Sequence, residues 1–442
     1  MLASPTFRRA LGALLLGVAL SAGAFARGQQ ANSQQQPKPE LQAKLPPLTL
    51  GKPFTWEFSA DDRGLVRVPL GRTGGWKTLV DPGFQARLVP GYSSDPTAEV
   101  ILWPSLTGID GKAERFLVQF PLAALGAGPT PTVVAFHPYG VSEKSPFQAT
   151  ALPALCQERG WVLIAAYGLV DTNYANVDAQ TALVAVLEFI DGYLPIDRTR
   201  LWGVGFSMGG LNALSFGMRH QDPSGFRFAG IVDHSGPIDV AKQYDDGDAL
   251  LKSILADADH FGGAPGDQPF AYERVSPAPL VGGAIDPARA SIENLLHVPL
   301  YLHCNLQDTE TSLVAQTQKL HAFLTARGAN AVLSTVNGGA QHVWSTLDMV
   351  DALAFLEHKP LGALPAAQSL HADRPGTWLA TKLLAAPAAS IARYRVERVP
   401  GANALELRGT HAVDALQLDL AALGLASGAP LYLGAEAADG SA

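Results

Sequence analysis

The run Gly205-Phe-Ser-Met-Gly-Gly210 carries a serine between glycines, after the apolar stretch Leu201–Phe206 and before the helix-like stretch 211–219. A serine at a tight strand-to-helix turn is held at strained backbone angles that lift its Oγ above a sheet, and the flanking glycines leave room for the turn. Gly-x-Ser-x-Gly by itself recurs by chance in chains of this composition; the strand before it and the helix after it make Ser207 a candidate nucleophile. A nucleophilic serine needs a base, and in this topology an orienting acid precedes a histidine later in the chain. The sequence supplies that order. Asp308 ends His303-Cys-Asn-Leu-Gln-Asp308, just beyond the apolar stretch 298–302, and His342 lies in Gly338-Gly-Ala-Gln-His-Val-Trp344. Glu310 is the competing acid, because its longer arm could reach the same imidazole nitrogen.

Attack on a carbonyl creates an oxyanion, which needs preorganised donors. One candidate is the backbone N–H of Met208. The other should come from Val133-Val-Ala-Phe-His-Pro-Tyr-Gly140, where the backbone N–H of Tyr139 is the first choice and its hydroxyl the second. Pro138 removes one backbone donor from that loop. His137 reads as a brace for the loop, and His234 and His303 as local hydrogen-bonders at strand ends. There is no His-Glu-x-x-His, no dense carboxylate loop and no nucleotide-binding glycine loop, so neither a metal nor a cofactor is expected.

These residues must be positioned by a scaffold. From residue 129 on, short apolar runs at 132–136, 161–166, 201–206, 228–232, 298–302 and 331–336 alternate with helix-like stretches such as 176–193 and 311–327. Continuous apolar strands between amphipathic helices imply an α/β fold with a doubly wound, mainly parallel sheet covered on both faces. The Gly-, Pro- and Asp-rich insertion 237–297 should sit at the carboxyl edge of that sheet and shape the substrate pocket. Alternating runs over 47–125, including Phe54-Thr-Trp-Glu-Phe58 and Leu65-Val-Arg-Val-Pro-Leu70, suggest a small N-terminal β domain. Those at 391–396, 404–408 and 415–420 suggest a C-terminal β domain over 363–442 with a loose tail. The catalytic domain is then 126–362.

The composition narrows the function classes. The chain has 442 residues, 47% hydrophobic and 16% charged, with a net charge of -8 and two cysteines. Length alone suggests two or three domains. The acidic balance gives no general reason to bind nucleic acid, and two cysteines provide no disulfide framework. Arg8 and Arg9, the apolar run 10–20 and the small residues Ala22-Gly-Ala-Phe-Ala26 read as a secretory signal over 1–26, too short in its apolar core to span a bilayer comfortably. A polar, Gln- and Pro-rich linker follows over 27–46. The expected product is a secreted or periplasmic protein with no membrane span after signal cleavage.

Over about 129–360 the chain resembles the α/β-hydrolase superfamily, and within it secreted serine hydrolases related to prolyl oligopeptidase-type peptidases and to polyhydroxybutyrate depolymerase and feruloyl esterase-type esterases. The resemblance is carried by Phe136-His-Pro-Tyr-Gly140, Gly205-Phe-Ser-Met-Gly209, Glu293-Asn-Leu-Leu-His-Val-Pro299, Asp308 and Gly338-Gly-Ala-Gln-His342. Gly376-Thr-Trp378 is similar to the terminal β domain of some secreted bacterial members. Cys304 departs from the pattern, since relatives tend to have His-Gly there, and the acid falls one residue later than usual.

The resemblance implies a Ser-His-Asp hydrolase acting on a small-molecule or polymeric ester through an acyl-enzyme. Two alternatives are a serine peptidase of prolyl oligopeptidase type and a non-catalytic surface-binding protein on a hydrolase scaffold. The peptidase's usual gate is a propeller, and blades of roughly 40 residues cannot make one from 47–125. All three triad residue types are present in order, which weighs against a dead scaffold. If 1–26 is a signal, N-terminal sequencing of exported protein should start after Ala24 or Ala26; a retained Met1 on exported material would point to an anchor.

Overall fold

The computed structural model describes residues 92–104, 108–109, 111–124, 128–192, 194–426 and 430–435, and before them the short strands Pro53–Phe54, Ser59–Ala60, Val66–Arg67 and Phe84–Val89. The expected signal, the linker and the tail from 436 lie outside the described residues. The chain divides into two compact units. The described part of one lies within 53–217 and 226–362; that of the other lies within 218–225 and 363–435.

The first unit is built on a ten-stranded sheet. Its strands in chain order are β1 (Pro53–Phe54), β2 (Phe84–Val89), β3 (Thr97–Leu102), β4 (Glu114–Gln119), β5 (Thr130–Phe136), β6 (Val162–Ala166), β7 (Ile196–Phe206), β8 (Gly230–His234), β9 (Leu300–Asn305) and β10 (Ala331–Val336). The spatial order is β1-β2-β3-β4-β6-β5-β7-β8-β9-β10. From β6 to β10 every neighbouring pair is parallel. From β1 to β6 every pair is antiparallel.

Strand residues alternate between two covered faces, as the two-residue period of a strand requires. Leu117, Val133, Ala135, Leu163, Ala165, Trp202 and Val204 join one core with Leu152, Leu155 and Cys156 of the helix Leu152–Arg159 and with Leu353 and Leu356 of the helix Met349–Glu357. On the opposite face Phe116 meets Phe189 of the helix Val177–Asp191 at 5.8 Å between ring centroids. Phe228 there lies 5.0 Å from Phe216 and 6.2 Å from Phe136. The helix Val177–Asp191 starts where Asn176 accepts a hydrogen bond from the Ala179 N–H at 2.8 Å, closing one of the four open N–H groups of its first turn.

The N-terminal expectation needs correction. The described strands at 84–119 do not form a β domain of their own; they extend the large sheet through β4, which pairs with β6 from Phe116↔Ala166 to Gln119↔Leu163. Alternation in Thr97–Leu102 reports that one face of a strand is buried, and says nothing of which sheet supplies the partner. The open edge of β6 presents unpaired N–H and C=O groups, and antiparallel addition of β4 satisfies them.

The insertion 237–297 folds into the helices Val240–Asp246, Ala249–Ala256 and Pro269–Glu273 and a ribbon of Leu280–Val281 with Ala284–Ile285. Val240, Leu255, Phe261, Tyr272 and Val275 pack with Tyr174, Met208 and Leu211. The insertion therefore covers the start of the helix that follows Ser207.

In the second unit a four-stranded sheet (Ala367–Ala372, Ala392–Arg398, Ala404–His411, Tyr432–Ala435) and a three-stranded sheet (Gly376–Trp378, Thr381–Ala385, Ala415–Leu418) share a core of Leu370, Trp378, Leu383, Tyr394, Val396, Leu405 and Leu416. Arg219 and Asp373 form a buried ion pair at 2.7 Å within this unit.

Trp202 is fully buried at the centre of the large sheet, 4.6 Å from Trp161. Trp202→Ala should lower the unfolding free energy of the sheet-bearing unit by about 3–5 kcal/mol, read from its transition in urea.

Candidate active site

Parallel strands bring their carboxyl ends to one edge, and register sets which residues meet there. Phe136 of β5 pairs with Gly205 of β7, and Gly205 with Asp233 of β8. His234 pairs with Phe206 on one side and with His303 of β9 on the other. The loops leaving this edge contain every residue for which chemistry is expected.

Ser207 sits directly after β7 with φ +56°, in the left-handed region that a non-glycine residue rarely enters. Its N–H donates to the His234 carbonyl at 2.8 Å, and its carbonyl accepts from the Gly210 N–H at 2.8 Å. The glycines are sterically required. A Cβ on Gly205 would collide with the Gly209 carbonyl, and one on Gly209 would collide with the carbonyls of Phe136 and His137. The start of the helix Met208–Arg219 is thus pressed against the loop 137–140. Strand order, strand polarity and this left-handed serine decide the architecture. The sheet-bearing unit is an α/β-hydrolase fold.

No family model matches the chain and no curated protein matches it. Among solved structures it is similar to a fluorophosphonate-binding serine hydrolase of Staphylococcus aureus, at 14% identity over 59% of this chain and 96% of that chain, with TM-score 0.43. It is similar to a ferulic acid esterase at 14% identity over 63% of this chain and 98% of that chain, with TM-score 0.44. A Pyrococcus horikoshii acylaminoacyl peptidase matches at 14% identity over 63% of this chain and 48% of that chain, with TM-score 0.42.

His342 and Asp308 are brought together by the loops after β10 and β9. The Nδ1 of His342 lies 2.8 Å from Oδ2 of Asp308, whose side chain is 1% exposed. The other carboxylate oxygen of Asp308 accepts from the Glu310 N–H at 2.8 Å. Glu310, the alternative acid, is exposed beside the start of the helix Thr311–Ala326. Because a carboxylate only accepts, the hydrogen bond is donated by Nδ1–H of His342, which leaves Nε2 as the lone-pair nitrogen. That Nε2 is buried and has no hydrogen-bond partner, so Ser207 and His342 are not hydrogen-bonded. The His342 ring lies 4.5 Å from the ring of Phe206, the residue before Ser207.

Asn305, at the end of β9, fixes both loops at once. Its amide donates to the carbonyls of Gly339 at 2.7 Å and Gln341 at 3.0 Å, and its Oδ1 accepts from the Gly338 N–H at 2.9 Å. Its own carbonyl accepts from the Asp308 N–H at 2.9 Å. Sequence reasoning missed this residue; an asparagine closing an apolar strand three residues before the candidate acid was the available signal.

Of the expected oxyanion donors, Met208 opens its helix, where the first N–H groups have no intrahelical acceptor. The neighbour Gly140 donates its N–H to the Asp171 carbonyl at 2.9 Å, while among the described residues the Tyr139 N–H makes no backbone hydrogen bond. The Tyr139 side chain is exposed, 5.9 Å from the Tyr174 ring. Partial desolvation at its inner side, with Asp248 and Asp171 nearby, raises its phenol above the ordinary range. The His137 nitrogens lie 2.9 Å from the carbonyl oxygens of Pro138 and Tyr167, inside the loop.

His234 and His303 are both buried, with rings 4.7 Å apart. The Thr346 hydroxyl donates to the Val343 carbonyl at 3.1 Å, so it accepts from Nε2–H of His234 at 3.0 Å. Burial holds His234 well below the usual imidazole range and pushes His303 down to about 4. Both are therefore neutral near pH 7. Among the described residues no three His, Cys, Asp or Glu side chains are grouped to hold a metal ion, and no helix is long and apolar enough to cross a membrane.

Asp233 was not anticipated. It is fully buried beneath the turn at Ser207, with Oδ1 accepting from the Gly236 N–H at 2.9 Å and Oδ2 unpartnered. A Cβ on Gly210 would collide with its carboxyl. Burial pushes the carboxyl up to about 7, against the smaller opposing effect of the Gly236 N–H. Between the ordinary carboxylate value of 3.8 and about 7, the folded state holds a proton that the unfolded chain has released. Stability should therefore fall as pH rises through that window and level off above it. Asp233→Asn should flatten part of the decline in thermal melts taken from pH 4 to 8, leaving the share due to Glu114, whose buried carboxyl is also pushed up to about 7.

Proposed function

We propose that this chain is a serine hydrolase that cleaves carboxylic esters through Ser207, His342 and Asp308. The observation that carries the reading is the Nδ1–H of His342 held by buried Asp308 at 2.8 Å, which leaves a buried, unpartnered Nε2 beside the residue preceding a left-handed serine. A ring nitrogen with no acceptor duty elsewhere, on a ring packed against the residue before a serine with strained backbone, is the equipment of general-base activation.

In this reading Nε2 of His342 takes the Ser207 proton as Oγ attacks the ester carbonyl. Asp308 stabilises the imidazolium that forms and holds the ring in the productive tautomer. The N–H groups of Met208 and Tyr139 receive the oxyanion, each worth about 3 kcal/mol of transition-state stabilisation. The imidazolium returns its proton to the leaving alkoxide, and water then attacks the acyl-enzyme by the same route in reverse. The Ser207–His342 bond, open in the free chain, closes when substrate excludes water from the site, as such bonds often do.

In this reading the substrate is selected between the insertion, which packs on Met208 and Leu211, and the His342 loop. Beyond that loop a cavity of about 510 Å³ is lined by Gln148, Thr150, Trp344, Leu347 and Met349 among others. Action outside the cytoplasm is also proposed, on residues 1–26 alone.

A fluorophosphonate should label the purified chain once, at Ser207, and Ser207→Ala should abolish both label and turnover of chromogenic acetate and butyrate esters. Asp308→Asn should keep the fold and cut kcat by about 10⁴, while Glu310→Gln should leave it within a few-fold. Cleavage of peptide amides with no ester turnover would replace this reading by the peptidase one. Labelling away from Ser207, or a larger loss from Glu310→Gln than from Asp308→Asn, would overturn the assignment of roles.

A further inference from the structure

The segment just after β6 is gripped by a carboxylate that the proposed mechanism does not use. Glu114, the first residue of β4, is fully buried. One of its oxygens accepts from the N–H groups of Tyr167 at 2.8 Å and Gly168 at 2.9 Å; the other accepts from the Leu169 N–H at 2.6 Å. Three successive amides on one carboxylate require a turn that few sequences adopt. Gly168 and Leu169 both have positive φ, 71° and 66°, and a Cβ on Gly168 would collide with the Asn173 side chain.

The turn is also what holds the oxyanion loop. The Tyr167 carbonyl lies 2.9 Å from Nε2 of His137, the Tyr167 and His137 rings stack at 5.9 Å, and Arg115 covers the Tyr167 ring at 4.0 Å. Two residues beyond Leu169, the Asp171 carbonyl accepts the Gly140 N–H at 2.9 Å. Nδ1 of His137 lies 2.9 Å from the Pro138 carbonyl. That carbonyl and the Tyr139 N–H belong to one planar trans peptide, so fixing the direction of the C=O fixes the N–H in the opposite direction.

We propose that Glu114 is a positioning residue for catalysis: by tying down the 167–169 turn it holds His137 through the Tyr167 carbonyl and Gly140 through the Asp171 carbonyl, fixes the Pro138–Tyr139 peptide between them, and so aims the Tyr139 N–H at the developing oxyanion. The inference rests on the reading of Tyr139 as an oxyanion donor. Glu114 touches no substrate, and its effect travels through backbone groups that mutation cannot remove directly.

The test uses the full chain and a chromogenic acetate ester, with an aryl trifluoromethyl ketone as a probe that becomes a tetrahedral oxyanion on Ser207. Glu114→Gln keeps the shape but turns an NH₂ towards backbone N–H groups. A folded Glu114→Gln variant should keep KM within about twofold while kcat and affinity for the ketone fall together by about 10- to 100-fold, somewhat less than loss of a whole oxyanion donor. His137→Gln should act on the same step, so the double variant should lose no more than the worse single variant. Thermal melts report folding. Wild-type kcat and ketone affinity in folded Glu114→Gln would overturn the proposal, as would multiplicative losses in the double variant. If Glu114→Gln does not fold, wild-type kcat in a folded His137→Gln variant overturns it. A wild-type chain inert to ester and label would overturn the hydrolase reading and this inference together, whereas an active wild type with unaffected variants overturns this inference alone.

Discussion

The backbone of Gly209 lies against the carbonyls of Phe136 and His137 so closely that no side chain fits between them. The rest of the site depends on that contact. It forces a sharp turn after β7, puts Ser207 into left-handed φ, and seats the first amides of a helix beside the loop leaving β5. A non-glycine residue in that region of backbone space costs on the order of 1–3 kcal/mol, so the surroundings must hold it. They do so by hydrogen bonds from the Ser207 N–H to β8 and from Gly210 back to Ser207.

Around this contact the chain spends its buried polar groups on loops. Asn305 ties the Asp308 loop to the His342 loop, His234 reaches Thr346 just past His342, and Glu114 holds the turn behind the 137–140 loop. Each is close to or at zero exposure. In a low-dielectric interior such groups are costly unless partnered, and once partnered they rigidify. The strained serine and the loops that face it are thus supported by separate elements: β8 beneath, β9 beside, and β4 from across the sheet.

The legible part of the sequence was local. Glycine spacing around Ser207 and the order of Asp308 and His342 could be read because elbow sterics and chain order act over a few residues or along the chain. The parallel strands were legible because burial on both faces leaves continuous apolar runs. The N-terminal strands misled because alternation marks a buried face without naming the partner strand, and register with β6 is decided by edges that lie far away in sequence. Asn305, Asp233 and Glu114 stayed hidden for a related reason. A polar residue at the boundary of a strand looks like any solvent-facing turn residue until the loop it holds is folded over it.

The position of β4 has a practical bearing on modularity. Ser207, Asp308 and His342 all lie after residue 129, which invites excision of a minimal fragment. Such a fragment would begin at β5, leave the β6 edge bare and remove the carboxylate that closes the 167–169 turn. The boundary that matters for an autonomous piece runs upstream of Glu114, because one strand serves as both sheet neighbour and loop anchor.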